Sequence, residues 1–130
     1  EIGLKDIENG TIKLVKRNDG TKLDVALDNE LSNVIVKLLD TIHNELYKKA
    51  CDHLESHTTK VDNYDDFKEV LNNKGGFIIA PWCGNTECEL KIKEETTATS
   101  RCIKGDAIKG QVCICCGKEA KSEVSFAKAY

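Results

Sequence analysis

GFIIAPWCGNTEC, residues 76–88, joins an apolar run to a pair of cysteines, and CICCG, residues 113–117, holds a second pair. The first pair has the spacing C-x4-C, and the second has a C-x2-C within it. Zinc takes four soft ligands at the corners of a tetrahedron, and cysteines two to four residues apart can wrap one edge of it. Glycine follows a cysteine in each group, where it lets backbone N–H groups approach the thiolates. The spacing predicts one zinc site with these ligands: Cys83, Cys88, Cys113 and Cys116.

Four sulfur ligands leave no position for water or substrate, so we expect the zinc to be structural, with no catalytic residue in this chain. Cys115 could replace Cys113 in a tighter C-x-C arrangement, but C-x2-C is the easier geometry and Cys113 is favoured. We interpret Cys51 and Cys102 as structural thiols. The alternative that all these cysteines are small buried apolar residues suits a lone cysteine better than two spaced pairs.

The composition limits the class of protein. The chain has 130 residues and a net charge of -3, which argues against binding nucleic acid through a basic face. Seven cysteines, most of them in close groups, favour metal binding in a reducing compartment over a secreted disulfide scaffold. No run has the length of a membrane-spanning helix, and no signal peptide opens the chain. We therefore expect a cytoplasmic protein with no membrane partner.

Upstream of the cysteines, turn signals and apolar periodicity predict a hairpin and a long helix. Strands are expected over residues 11–17 and 21–27, joined by a tight turn, with residues 1–4 as a truncated strand. Apolar residues then recur at helical spacing after Asp28, a plausible N-cap. A helix this long is expected to span two structural units. His53 and His57 lie four apart near its end, where a solvated helix end is favoured over a metal pair.

Around the cysteines, the pattern predicts an α+β fold, a small mixed sheet with helices on one face and a zinc knuckle of four cysteines. A helix is expected over residues 64–73, and Asp62 or Asn63 caps it. The apolar run at residues 77–80 predicts a central strand. The remaining predicted elements are a short charged helix over residues 88–95, a possible strand at residues 102–103 and a final strand over residues 122–130.

Residues 76–103 resemble the signature stretch of the C-terminal domain of prolyl-tRNA synthetases of the archaeal and eukaryotic type. That pattern is an apolar strand, Pro-aromatic-Cys-Gly, the C-x4-C pair, a charged helix and a Thr-rich segment ending in Ser-Arg-Cys-Ile. Residues 59–67, 113–118 and 126–130 match the family's entry into the domain, its second knuckle and its ending. Leu4 and Lys104 depart from it, since the family usually has proline there; both are turn positions.

The resemblance implies a domain organisation. Residues 1–45 are similar to the end of an α/β anticodon-binding domain, with its last strands and exit helix, and residues 46–130 to the C-terminal zinc-binding domain. The family attaches proline to tRNA with ATP in a class II catalytic domain, whose motifs are absent from this sequence. ATP and Mg2+ would therefore bind only in that domain, and this fragment alone is expected to be inactive.

The same resemblance implies partners and one further residue. They are the catalytic domain of the same enzyme, tRNA(Pro) in the intact enzyme, and a second subunit in a homodimer. Tyr130, the family's terminal tyrosine, would direct its carboxylate towards the active site. Alternatives are a stand-alone zinc-binding interaction or RNA-binding module, and a thiol redox protein; bound zinc with unreactive thiols would exclude the last.

Overall fold

The computed structural model describes residues 2–128, and the chain divides into two compact units, Glu1–Asp52 and His53–Tyr130. The division falls inside one helix, α2 (Leu31–Ser56). The boundary expected from the resemblance, between residues 45 and 46, lies earlier in the same helix. The assignment of the two parts to an anticodon-binding and a zinc-binding domain stays a prediction.

The first unit contains helix α1 (Leu4–Asn9), strands β1 (Thr11–Val15) and β2 (Lys22–Ala26), and the greater part of α2. The predicted hairpin is confirmed: β1 and β2 are antiparallel, with Thr11 opposite Ala26. The truncated strand expected over residues 1–4 is wrong in its described part, because the chain turns into α1 at Leu4. The Asp6 carboxylate accepts a hydrogen bond from the Gly3 N–H at 2.8 Å, which stabilises the first turn of that helix.

Helix α2 has the predicted apolar periodicity, yet Ile42 is its one buried residue. Other apolar side chains of the stripe are exposed, among them Leu39 (59%) and Leu46 (43%). The Asp28 carboxylate accepts from the Glu30 N–H at 2.9 Å, as a capping residue does, although the helix itself begins at Leu31.

The second unit is built on a four-stranded sheet in the order β3-β4-β6-β5. Strands β3 and β4 are parallel, and the other neighbouring pairs are antiparallel, so the sheet is mixed as predicted. The elements, in chain order, are β3 (Thr58–Lys60), α3 (Tyr64–Asn73), β4 (Phe77–Trp82), α4 (Thr86–Thr96), β5 (Ala98–Asp106) and β6 (Ser122–Lys128). The apolar strand β4 lies inside the sheet, as its composition predicted.

One core joins the sheet of the second unit to α3 and α4. Phe67 of α3 and Phe126 of β6 are fully buried, and their rings meet edge to face with centroids 5.5 Å apart. Ile92 of α4 is buried in the same cluster. Asn63 caps α3 by accepting from the Asp66 N–H at 2.9 Å. The expected α+β fold with both helices packed on this core is therefore confirmed.

Some limits differ from the predicted ones. Helix α4 begins two residues earlier than expected because Asn85 caps it, and β5 extends well beyond residues 102–103. The final strand was predicted to reach Tyr130; β6 is observed to Lys128, and Ala129 and Tyr130 lie outside the described residues. Within residues 2–128, no helix combines the length and the apolar composition needed to cross a membrane.

Candidate metal centre

The predicted ligands come from three places in the second unit. Cys83 directly follows β4, where the strand leaves the core. Cys88 lies in the first turn of α4, three residues after the N-cap Asn85. Cys113 and Cys116 lie in the long connection between β5 and β6. The fold thus brings a local pair from one end of β4 against a second local pair that is distant in sequence.

The four sulfur atoms lie close enough to share one ion. The Sγ atoms of Cys83, Cys88, Cys113 and Cys116 are all within 4.8 Å of one another. The Sγ of Cys83 is 3.7 Å from the Sγ of Cys88 and 3.7 Å from the Sγ of Cys116. A regular tetrahedron with zinc–sulfur bonds of about 2.3 Å has edges of about 3.8 Å. The chemistry and spacing of these donors therefore fit a metal ion, and the set could hold one.

Hydrogen bonds from the connection to the end of β4 hold the two pairs together. The Ile114 N–H donates to the Pro81 carbonyl at 3.2 Å, and the Lys121 N–H donates to the Trp82 carbonyl at 2.8 Å. The Trp82 side chain also packs against the buried cysteines. Sequence analysis missed this role of Pro81 and Trp82; their position directly before Cys83 was the available signal.

Two glycines give the loops their shape. Gly84 follows Cys83 with φ +83°, and Gly117 follows Cys116 with φ +69°. These are left-handed conformations that side chains with a Cβ disfavour. The turn at Gly117 lets its N–H donate to the Cys113 carbonyl at 2.9 Å, which closes the second pair. We expected glycine to let backbone N–H groups approach the thiolates, and the N–H of Lys118, directly after Gly117, favours the thiolate of Cys116.

The thiols differ in burial and acidity. Cys83, Cys88 and Cys113 are buried, whereas Cys116 is exposed. Burial raises the pKa of the Cys88 and Cys113 thiols, because a thiolate loses its hydration there. The pKa of Cys116 is lowered to about 7, first because the backbone N–H of Lys118 favours its thiolate. A cation in this site would supply the compensating charge that buried thiolates need.

The remaining cysteines lie outside this set of four. Cys115 is half-buried and packs against both the cysteine cluster and the main core. Cys51 and Cys102, interpreted from the sequence as structural thiols, are both exposed. Cys113, and not Cys115, is among the four clustered sulfur atoms. The choice of Cys113 as the ligand stays a prediction.

The sequence analysis also singled out the histidine pair at the end of α2 and the terminal tyrosine. The rings of His53 and His57 stack with centroids 4.0 Å apart. The Nδ1 of His57 lies 2.8 Å from the His53 carbonyl oxygen, so this nitrogen is hydrogen-bonded to the backbone of the helix end. Tyr130, predicted to face an active site in the intact enzyme, lies outside the described residues.

Comparison with protein families gives a match over the second unit. A family model described as "Prolyl-tRNA synthetase, C-terminal" matches residues 64–130. The chain is 47% identical over 131 residues to a proline–tRNA ligase of Lachnospira eligens, covering 100% of this chain and 27% of the relative. A proline–tRNA ligase of Oceanobacillus iheyensis gives the same identity and coverage. The chain thus spans about a quarter of the length of the curated relatives it matches.

A solved structure matches the whole chain. The prolyl-tRNA synthetase of Cryptosporidium parvum, crystallised with halofuginone and AMPPNP, is 35% identical with a TM-score of 0.89. The match covers 100% of this chain and 28% of that one. At this identity and similarity the likeness extends to sequence as well as fold.

Proposed function

Because this chain belongs to the family of prolyl-tRNA synthetase C-terminal domains, we propose that it serves a proline–tRNA ligase as a zinc-stabilised, non-catalytic part. The observation that carries the proposal is the set of four sulfur atoms within 4.8 Å of one another in the unit that the family matches. The chain corresponds to about a quarter of its relatives' length, so the remainder is available for the catalytic domain.

The ligands of the proposed zinc are Cys83, Cys88, Cys113 and Cys116. When bound, zinc would supply a cross-link between the end of β4, the start of α4 and the β5–β6 connection. Structural zinc sites of this kind contribute on the order of 10 kcal/mol or more to folding. The protein's own part is to place the four thiols at tetrahedral spacing and to exclude water from three of them.

The proposals for the rest of the enzyme rest on family membership. Residues 1–45 are proposed to end an anticodon-binding domain, and residues 46–130 to form the zinc domain that packs on the catalytic domain. ATP and Mg2+ would bind in that catalytic domain, with tRNA(Pro) as substrate, in a cytoplasmic homodimer. We keep the archaeal and eukaryotic type as part of the proposal: the Cryptosporidium structure supports it, although the curated relatives named above are bacterial.

Tyr130 is proposed to place a terminal carboxylate at the mouth of the active site. The support is the resemblance of residues 126–130 to the family's ending. A carboxylate there would act as a fixed hydrogen-bond acceptor, whose usefulness depends on its accurate placement by the preceding strand. Deletion of Tyr130 from the intact ligase should lower aminoacylation while the zinc content stays the same.

Metal analysis tests the proposed role of the cysteines. The purified chain is expected to hold about one zinc per molecule, because the four thiols fit one tetrahedral ion. Dialysis against a chelator should remove the zinc and unfold the second unit, measured by the fluorescence of Trp82, the single tryptophan. A metal-free chain that keeps its fold in chelator would contradict the proposal.

Pyrophosphate exchange tests the assignment as a non-catalytic part. The chain alone, supplied with proline and ATP, is expected to give no proline-dependent exchange of pyrophosphate into ATP. The matched control is the intact ligase at the same concentration, which should give exchange. Proline-dependent exchange by the clean fragment would overturn the assignment.

A further inference from the structure

The four clustered thiols differ in how far solvent reaches them. Three are buried and one is exposed, namely Cys83, Cys88 and Cys113 against Cys116. The partly buried side chains of Trp82 and Cys115 pack against the buried three. A reagent dissolved in water therefore reaches the Sγ of Cys116 before it reaches the others.

Hydrogen bonds around the second cysteine pair hold its turn closed. The Cys113 N–H donates to the Lys118 carbonyl at 2.7 Å, and the Gly117 N–H donates to the Cys113 carbonyl at 2.9 Å. Ile114, inside the same turn, is buried in the main core of the second unit. Cys116 is thus exposed while the turn is closed and anchored, so a reagent needs no opening of the loop to reach it.

A second thiol lies within reach of Cys116. The Sγ of Cys83 is 3.7 Å from the Sγ of Cys116, although the two residues are 33 positions apart in sequence. A disulfide bond is about 2.05 Å long, so the two sulfur atoms need to approach by less than about 2 Å. Oxidation of Cys116 would therefore place an electrophilic sulfur beside a nucleophilic partner.

We propose that Cys116 is a peroxide-sensitive thiol of the proposed zinc site, and that its oxidation opens the site by forming a disulfide with Cys83. The Cys116 thiolate attacks hydrogen peroxide, the O–O bond breaks, hydroxide leaves and a sulfenic acid forms. The Cys83 thiolate then displaces hydroxide from that sulfur. Two thiolates have lost two electrons in total, and one peroxide has been reduced to two hydroxide ions.

The inference deepens the proposed function, on which it rests, by adding regulation of the same site. After oxidation two thiolates remain, too few to complete a tetrahedral zinc site. The disulfide would still join the end of β4 to the β5–β6 connection, whereas Cys88 at the start of α4 would lose its link to both. A dithiol reductant should restore all four thiols, since a disulfide is reversible.

The test treats the purified, zinc-loaded chain with hydrogen peroxide. We expect release of about one zinc per chain, followed with a chromogenic chelator, because the oxidised site lacks two ligands. Trapping with dimedone and mass spectrometry should find Cys116 as the first oxidised ligand and then a disulfide between Cys116 and Cys83. Hydrogen exchange should rise in the first turn of α4, and dithiothreitol with added zinc should reverse each change.

The exposed cysteines outside the site supply a control. Cys51 lies on α2, and Cys102 follows the bulge at Arg101, the residue that the β5–β6 register skips. Both are exposed and open to peroxide, yet neither belongs to the four clustered thiols. A chain with Cys51→Ser and Cys102→Ser should therefore release zinc at the rate of the parent.

Two histidine variants separate Cys116 from a buried ligand. Zinc sites with three cysteines and one histidine are common, so Cys116→His and Cys88→His can both keep the ion. Cys116→His should slow the peroxide-driven release by at least about tenfold, because imidazole offers no sulfur to oxidise. Cys88→His is the matched control and should release zinc at nearly the parent's rate. Trapping on the parent chain decides the matter if either variant binds no zinc.

The outcomes distinguish the two proposals. A parent chain isolated in reducing buffer without zinc would end the proposed structural role, and this inference with it. Zinc that stays bound after Cys51 and Cys102 are oxidised would overturn the inference alone, as would Cys88 or Cys113 as the first ligand oxidised. The intact ligase, treated in the same way, should also release its zinc; retention there would overturn the inference for the enzyme.

Discussion

The two units differ in how many apolar residues their helices bury. The ten-residue helix α3 of the second unit buries two apolar residues, Phe67 and Leu71, against the sheet. The 26-residue helix α2 buries one, Ile42. The second unit thus contains its own core, while the apolar stripe of α2 remains largely exposed in the described residues. An apolar periodicity in the sequence therefore predicts an amphipathic helix, but it does not show that the partner of the apolar face lies in the same chain.

In the first unit, a charged cluster takes the place that apolar packing has in the second. Lys16 is buried, 7% exposed, and its Nζ lies 2.7 Å from a Glu45 carboxylate oxygen and 2.9 Å from one of Asp19. Asn18 also donates to Glu45, at 2.6 Å. These contacts join the hairpin turn to α2. A link of this kind is screened by salt and weakens when its carboxylates are protonated.

The largest expected effect is the loss of one ligand. Cys116→Ser should abolish stoichiometric zinc binding and unfold the second unit, at a cost above about 5 kcal/mol, because three thiols cannot complete the tetrahedron. NMR spectra should show the loss in the second unit, while signals of β1 and β2 stay in place. Cys115→Ser is the matched control and should keep zinc and fold. Loss of zinc in the Cys115 variant instead would make Cys115 the ligand.

A core substitution should have the next largest effect. Phe67→Ala removes a fully buried ring and should destabilise the second unit by about 3 to 5 kcal/mol. Leu39→Ala, at an apolar position of α2 that is 59% exposed, should change stability by less than about 0.5 kcal/mol. Denaturant unfolding followed by Trp82 fluorescence and by circular dichroism measures both. Similar losses for the two variants would contradict the contrast between the units.

The smallest effect is expected in the first unit, where protonation of Asp19 in acid should weaken the hairpin turn. The pKa of Asp19 is lowered from 3.8 to about 2, first by the Thr21 N–H, which donates at 2.9 Å, and then by Lys16. A lowered folded-state pKa means that the stabilisation is complete above about pH 4 and is lost as the pH falls through about 2.

An NMR titration of the Asp19 carboxyl carbon measures this shift. The inflection should lie at about pH 2, and the dispersion of the β1 and β2 amides should decrease over the same interval. In the variant Asp19→Asn the part of that change centred at about pH 2 should disappear, while the part due to Glu45, whose pKa is lowered first by Lys16, should remain. An inflection close to the ordinary value of 3.8 would show that the turn does not hold the carboxylate.

Much of the second unit was predictable because its signals are local. The caps, the apolar strand β4 and the spaced cysteine pairs each depend on a few neighbouring residues. What the sequence did not indicate depends on distant pairing: the length of β5, the bulge at Arg101, and the use of the Pro81 and Trp82 carbonyls by the second cysteine loop. Near the start, a β-prone interpretation of residues 1–4 failed because Asp6 favours a helical turn.

The sheet order also limits how the second unit can be made. Strand β6 is the last in chain order, yet it lies between β4 and β5. During synthesis, both of those strands must therefore wait with an open edge until residues 122–128 have left the ribosome. The second cysteine pair emerges just before them, so an ion bound as we propose would join the two cysteine pairs while the centre of the sheet is still empty. Bound zinc would then hold the residues before β6 next to the end of β4, and the shorter loop left to close would let β6 pair faster.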